Sequence, residues 1–456
     1  MLISGWIYAQ SDTTGKNFTL TKAIDYALQN SVNVKNAIVD ERIAKSRVGE
    51  IRAVGLPQVE GAVQFSFNDP LRRMFLPGGS FILPDVPAGT VIAAPNQFQL
   101  RAAGDAGITI SQLLLSGSYI VGLKAAKTYR ELASKTAQQS KIQTTEAVTK
   151  AFYSVLINNE RIKLFDSNIA RVDSLLRSTM ALNESGFAEV IDVNRIKVSL
   201  NNLITEKEKF RNLQDLNIEL LKFQMNYPMN EDITVIGNIA NIELDSMTLD
   251  NTTTNPNYGN RIEYSVLETQ RELQRLDIKN NYTNYLPTLA AFANFGYFTQ
   301  SPTLKGLFKT ESTLPESSQA GRDRWYPYGL FGINLTVPIF DGFAKHYKLQ
   351  QSKLNLMKVE NGFQSLKSSI DLQVNQSDIT LRNSIKTLNS QKENVELAGE
   401  VARVTKIKYQ EGVGSNLEVT EAEAALREAQ INYYNALYDA IIAHIDLQTA
   451  LGTLVK

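Results

Sequence analysis

Apolar positions along this chain follow two periods, and the periods alternate. From about residue 18 to 54 the spacing is helical: Thr19-Leu20-Thr21 leads in, and Ile24, Leu28, Val32 and Val34 continue it. Leu56-Pro57 stops the pattern, because proline cannot continue a helix. The period then drops to two. Val59, Gly61, Val63, Phe65 and Phe67 alternate with Glu60, Ala62, Gln64, Ser66 and Asn68, which predicts a strand over 58–68 with one apolar face. Residues 69–103 hold five of the 13 prolines and read as a long loop. Alternation returns over 104–114, with Ala106, Ile108 and Ile110 set against Asp105, Thr109 and Ser111.

A proline-free helical stretch follows, from about 118 to 183. Val148, Ala151, Val155, Ile162, Phe165, Ile169, Val172 and Leu176 step by three and four, the spacing of a coiled-coil seam. Gly186-Phe187-Ala188 turns the chain. A second seam runs back through Val193, Ile196, Leu200, Leu203, Phe210, Leu213 and Leu220 to Tyr227-Pro228. Residues 229–256 are polar and irregular.

The order then restarts. A helix covers about 257–285 and stops at Leu286-Pro287. A strand is expected over 288–298, a loop to about Pro327, and a second strand over 328–339 carrying Phe331, Ile333, Leu335 and Val337 on one face. Asp341-Gly342 opens a second long helix, with Val374, Leu381, Leu388, Val395, Ala402 and Tyr409 at every seventh position. Gly412-Val413-Gly414 turns it, and Leu417, Ala424, Ile431, Tyr438 and Ile445 carry the return. Gly186 stands opposite Gly412, and Asp192-Val193 opposite Glu418-Val419, at an offset of about 226 residues. One unit is therefore written twice: 18–228 and 257–456, joined by an equatorial linker at 229–256. Residues 1–17, with the apolar run Leu2–Ala9, read as a secretory-signal remnant or a disordered tail.

Lengths constrain the packing. A helix of about 66 residues spans on the order of 100 Å, and a return of about 38 residues only about 57 Å. The shortfall matches the preceding helix, so each long helix should lie beside two shorter ones placed end to end, with strands at one end and glycine turns at the other. Strands of about 11 residues suit a tilted bilayer crossing. A bilayer tolerates no unpaired strand edge, and four strands are too few to close a barrel, so several chains must share one. The expected class is mainly α with transmembrane β. The alternative is a coiled-coil structural or adhesion protein of the cell surface, which accounts for the helices but not for the strand pair before each one.

Composition narrows the chemistry. The 47 basic and 47 acidic residues balance, which argues against nucleic acid as a partner. No cysteine is present, so disulfides and thiolate sites are excluded. The two histidines, His346 and His444, fall in helical stretches and read as surface or packing residues. No phosphate loop, nucleophile triad or metal cluster is legible, so neither a cofactor nor an enzyme activity is expected.

The chain resembles the TolC-like outer-membrane efflux family over about 18–455. The marks are Val337-Pro338-Ile339-Phe340-Asp341-Gly342, the run from Tyr409 through Gly412, Gly414 and Leu417 to Glu421, and the closing Ala450-Leu451-Gly452. The resemblance implies a homotrimer in outer-membrane lipid with a twelve-stranded shared barrel and a periplasmic helical tunnel. It also implies a passive duct for efflux or type I secretion, working with a periplasmic adaptor (membrane fusion protein) and an inner-membrane transporter. It assigns Glu418 and Glu421 to the periplasmic constriction, and Asp192 and Tyr409 to a hydrogen-bonded latch. Glu418 and Glu421 stand three apart and share a helix face. As rings they would favour cations; otherwise they are ordinary solvated carboxylates. Gly414 stands where the family carries the arginine that answers the latch. The tips Gly186, Phe187, Ala188 and Gly412, Val413, Gly414 are expected to dock the adaptor.

Overall fold

A computed structural model describes residues 17–96, 99–239, 257–308 and 325–455. The signal-remnant reading of Leu2–Ala9 and the linker from 240 to 256 lie outside the described residues. The chain divides into two compact units: 1–44, 129–272 and 357–456 form one, and 45–128 and 273–356 the other.

The second unit is built on a four-stranded antiparallel sheet ordered β2-β5-β7-β8. β2 is Gln58–Phe67, β5 Ala102–Leu115, β7 Thr288–Ser301 and β8 Tyr326–Thr336. β5 pairs with β7, so the strand pairs of the two repeats form one sheet. Register fixes its faces, since paired residues project to the same side. The rows Val59–Ile110–Ala293–Phe331 and Gly61–Ile108–Phe295–Gly329 lie on one side. Glu60–Thr109–Asn294–Leu330 lies on the other. Val63, Phe331 and Ile333 are exposed, so the apolar face is bare. β2 and β8 each have one strand neighbour and leave a free edge. On the polar side Tyr328 lies across two glycines. A Cβ at Gly107 would come within 2.9 Å of its hydroxyl, and one at Gly296 within 2.9 Å of its ring. The Tyr328 hydroxyl donates to Asp105 Oδ1 at 3.1 Å.

Two expectations are corrected here. The stretch 69–103 is not all loop: β3 (Arg73–Pro77) and β4 (Val91–Pro95) pair as a hairpin within it. β8 begins at Tyr326, takes in Pro327 and ends at Thr336. Pro327 pairs with Tyr297 at an edge strand, where a missing N–H costs no ladder bond.

The first unit holds the helical hairpins, apart from the opening stretches of their long helices, which belong to the second. α3 (Gly117–Glu184) and α4 (Val190–Met225) form one; α6 (Ala344–Gln410) and α7 (Asn416–Leu451) form the other. Phe165, Val172 and Leu175 of α3 pack with Ile196 and Leu203 of α4 and Val419 of α7. Each such side chain, fully buried, contributes about 1.5–3 kcal/mol. A larger core gathers Val148, Phe152 and Val155 of α3, Leu221 and Met225 of α4, and Ala440 and Ile441 of α7.

Both return helices end alike and meet the start of another helix. α4 closes on Asn226 in the left-handed region (φ 54°), and α7 on Gly452 (φ 70°). Asn226 Nδ2 donates to the carbonyl of Asn30 at 3.1 Å, at the end of α1 (Leu20–Asn30). At the second joint the buried Arg261, just before α5 (Ile262–Thr283), donates to the carbonyls of Thr449 (3.2 Å) and Ala450 (2.7 Å). Those carbonyls at the end of α7 would otherwise be orphaned. The expected helix over 18–54 is broken: Ser31 leaves the helical region (ψ 132°) before α2 (Val32–Ala53) resumes. The Asn30 carbonyl, taken by Asn226, is diverted from the helix ladder. Next to this joint β1 (Asn17–Phe18) pairs in parallel with β6 (Thr234–Val235), a strand inside the stretch read as irregular linker. No described helix is long and apolar enough to cross a membrane.

Candidate gate and hairpin tips

The two tips share one backbone solution. Gly186 (φ 79°) and Gly412 (φ 77°) adopt the left-handed conformation that glycine accepts without strain. In the first tip Gly186 N–H donates to Asn183 O and Phe187 N–H to Leu182 O. In the second, Gly412 N–H donates to Tyr409 O and Val413 N–H to Lys408 O. Both are Schellman closures, which satisfy the last helix carbonyls and reverse the chain. The residue after each glycine is thrown outward: Phe187 is 83% exposed and Val413 79%.

The flanks differ. In the first tip Asn183 Nδ2 clamps the Ala188 carbonyl at 2.7 Å, and Glu189 caps α4 without a side-chain bond. In the second, Ser415 Oγ accepts from Glu418 N–H at 3.2 Å and caps α7. Gly414 is pressed against the end of α6: a Cβ there would stand 3.0 Å from both Lys408 Cβ and the Tyr409 nitrogen. Any side chain at 414, arginine included, would have to shift this turn.

Within one chain the two expected latch residues, Tyr409 and Asp192, hydrogen-bond to other side chains. Tyr409 shares a hydrogen bond with the fully buried Thr179 of α3, at 3.2 Å. Asp192 instead accepts from Arg195 Nη1 at 3.2 Å, one turn along α4. Glu418 and Glu421 are exposed, and neither side chain has a hydrogen-bond or ion-pair partner among the described residues.

Behind these groups a polar seam joins α3 to α7. Arg171 Nε lies 3.2 Å from Glu423 Oε2, and its Nη2 donates to Asn168 Oδ1; the Asn168 amide in turn donates to Gln430. Arg195, Thr179, Arg171 and Glu423 are absent from the residues read out of the sequence. Arg195 was findable, since it stands three residues after Asp192. Nothing local marks Thr179 as the partner of Tyr409. Among the described residues no group of three or more His, Cys, Asp or Glu could hold a metal ion.

The chain is similar to known outer-membrane proteins. Residues 263–453, the second repeat, match the Outer membrane efflux protein family. The chain is 21% identical over 352 residues to the Outer membrane protein TolC of Salmonella enteritidis, covering 76% of this chain and 69% of that one. It is likewise 21% identical over 325 residues to TolC of Escherichia coli K12, covering 71% and 64%. The fold is that of the MtrE outer membrane channel of Neisseria gonorrhoeae (TM-score 0.71, 17% identity, 95% of this chain and 89% of that one). It is also that of the CmeC outer membrane channel of Campylobacter jejuni (TM-score 0.69, 15% identity, 95% and 86%). The duplicated strand-and-hairpin unit, the paired glycine tips and these likenesses converge on a TolC-like outer-membrane efflux channel component: the second repeat matches the family, and the chain as a whole has its fold.

Proposed function

We propose that three copies of this chain form one passive duct. Its barrel is shared between copies, and its helical tunnel receives cargo from a periplasmic adaptor and an inner-membrane pump. The observation that carries the reading is the sheet: four strands, two free edges and a bare apolar face. In a bilayer each free edge would leave a row of unsatisfied amides, so the edges must find partners in other copies. The helices support the same conclusion. Ile191, Val198, Leu216 and Phe223 on α4, and Leu372, Ile379, Leu397 and Val401 on α6, are exposed apolar residues at helical spacing. Stripes of this kind want a partner helix.

The exposed Phe187 and Val413 are the adaptor contacts in this reading. Glu418 and Glu421, repeated by symmetry, form acidic rings that favour cations at the constriction. The duct does no chemistry; energy comes from the pump. The decisive experiment is planar-bilayer recording on the purified oligomer, together with its mass. A trimer with cation-selective conductance, whose selectivity falls when Glu418 and Glu421 are neutralised, is expected. A protein that never conducts, even with both neutralised, would leave the adhesion reading standing instead.

A further inference from the structure

Between β2 and β5 the chain leaves the sheet to build the β3–β4 hairpin. The pairs Phe75↔Ala93 and Pro77↔Val91 set one face; Met74↔Ala94 and Leu76↔Ile92 set the other. Both faces are therefore apolar. The connecting turn is ordered. Gly78 N–H donates to Thr90 O at 2.7 Å, Gly79 N–H to Leu83 O at 3.1 Å, and Leu83 N–H to Ser80 O at 3.0 Å. At its apex Phe81 is fully exposed, and Phe75 is 74% exposed. A two-stranded hairpin is marginal in water, and an apolar one needs cover.

The base of the hairpin indicates what the cover is. Arg72 and Arg73 are exposed, and neither has an ion-pair partner among the described residues. Arg101 faces Asp69 at 3.9 Å. At the same end of the sheet Phe65 packs with Phe308 (4.9 Å) and Trp325 (6.3 Å). Lys305 lies in the short helical turn Leu304–Phe308 just after β7. Aromatic rings beside basic side chains mark the level of lipid headgroups. The hairpin lies between the end of β2 and the start of β5, at the sheet end opposite the one where α2 leads into β2 and β5 leads into α3.

We propose that the β3–β4 hairpin is a lipid anchor. Phe75, Phe81 and Ile82 enter the outer leaflet, and Arg72 and Arg73 hold the phosphates of anionic lipid headgroups. This rests on the strands spanning the outer membrane, and the test separates the two readings.

The chain has no cysteine, so Phe81→Cys carries a single environment-sensitive fluorophore, and Glu411→Cys at the periplasmic tip serves as control. The full chain is reconstituted in phosphatidylcholine vesicles with and without lipid A, and conductance verifies insertion. The expected result is blue-shifted emission at position 81, quenched by membrane-embedded spin-labelled lipid and strongest with lipid A, with no such response at position 411. Arg72→Gln with Arg73→Gln should weaken lipid A retention roughly thirty-fold, at about fivefold per basic side chain near the surface, while conductance stays unchanged. Inorganic phosphate should not compete. Three outcomes would overturn the anchor: a conducting channel whose label stays in water in every vesicle, full displacement by inorganic phosphate, or protection that persists in detergent with 81-to-81 crosslinks between copies. A protein that never conducts removes the channel reading, and the anchor with it.

Discussion

The two hairpin tips began as copies and now differ in charge. Their glycines close the same turn at the same φ. Three residues into α4, however, stands Asp192, paired with Arg195; the equivalent positions in α7 are Glu418 and Glu421. One hairpin neutralises itself, and the other accumulates acid on one face. Asn183 and Tyr409 are also equivalent: Asn183 clamps its own tip, whereas Tyr409 reaches across to Thr179 in the other hairpin. Duplication preserved what backbone geometry requires and left the side chains free to specialise. The second hairpin kept Glu418 and Glu421 unpaired among the described residues.

The strongest way to break the comparison is at the tips. Val413→Glu should abolish export while leaving trimer mass unchanged, because an exposed contact is lost and no core is touched; normal export by this variant would sink the docking reading. Phe187→Glu should act in the same direction. Next is charge. Glu421→Arg rebuilds in α7 the acid–base pair of α4, and it should remove most of the cation selectivity read from reversal potentials. An unchanged reversal potential would mean that these carboxylates do not line the constriction.

The two joints differ in the same manner, and stability measures them. Arg261→Ala strands carbonyls and a carboxylate that a buried guanidinium had satisfied, and should cost about 3–5 kcal/mol in denaturant unfolding. Asn226→Gly removes one exposed amide bond and keeps the left-handed residue permissible, so about 1 kcal/mol is expected. At the tips Gly414→Ala must displace the end of α6, at about 1 kcal/mol or more. Ala188→Gly should cost only a few tenths, as glycine does near a turn. Hydrogen exchange at each tip would rank the pair.

The smallest effect is a pH dependence confined to the second repeat. Burial pushes the His444 imidazole below its ordinary value; Nε2 meets Gln448 at 2.9 Å, and the buried Nδ1 has no hydrogen-bond partner among the described residues. The first repeat has Ile218 at the equivalent position. A histidine with a lowered folded pKa favours the neutral form. The unfolded chain therefore binds the proton first, and stability falls as pH drops through about 6.5 towards the folded value. His444→Ile should flatten unfolding midpoints between neutral and mildly acid pH; an unaltered slope would refute this origin.

Much of the fold was legible because its solvents are segregated. Lipid on one side of a strand forces strict alternation, and Val59 to Phe67 displays it. Long helices with partners at fixed spacing force seams, and Leu381 and Leu388 display one. The β3–β4 hairpin was hidden because both its faces are apolar and prolines interrupt it. The break at Ser31 was hidden because the residue that takes the Asn30 carbonyl, Asn226, stands 196 positions away at the end of α4.

By itself, then, the sequence determined the repeat, the strands and the turns, since each follows from periodicity or from glycine and proline acting locally. The tertiary structure alone decided which groups meet. It gave Tyr409 to Thr179 and Asp192 to Arg195, pressed Gly414 against α6, and set Arg261 on the end of α7. Those choices depend on which helix faces come together, and a hydrogen bond between residues 230 positions apart leaves no trace in the spacing of either.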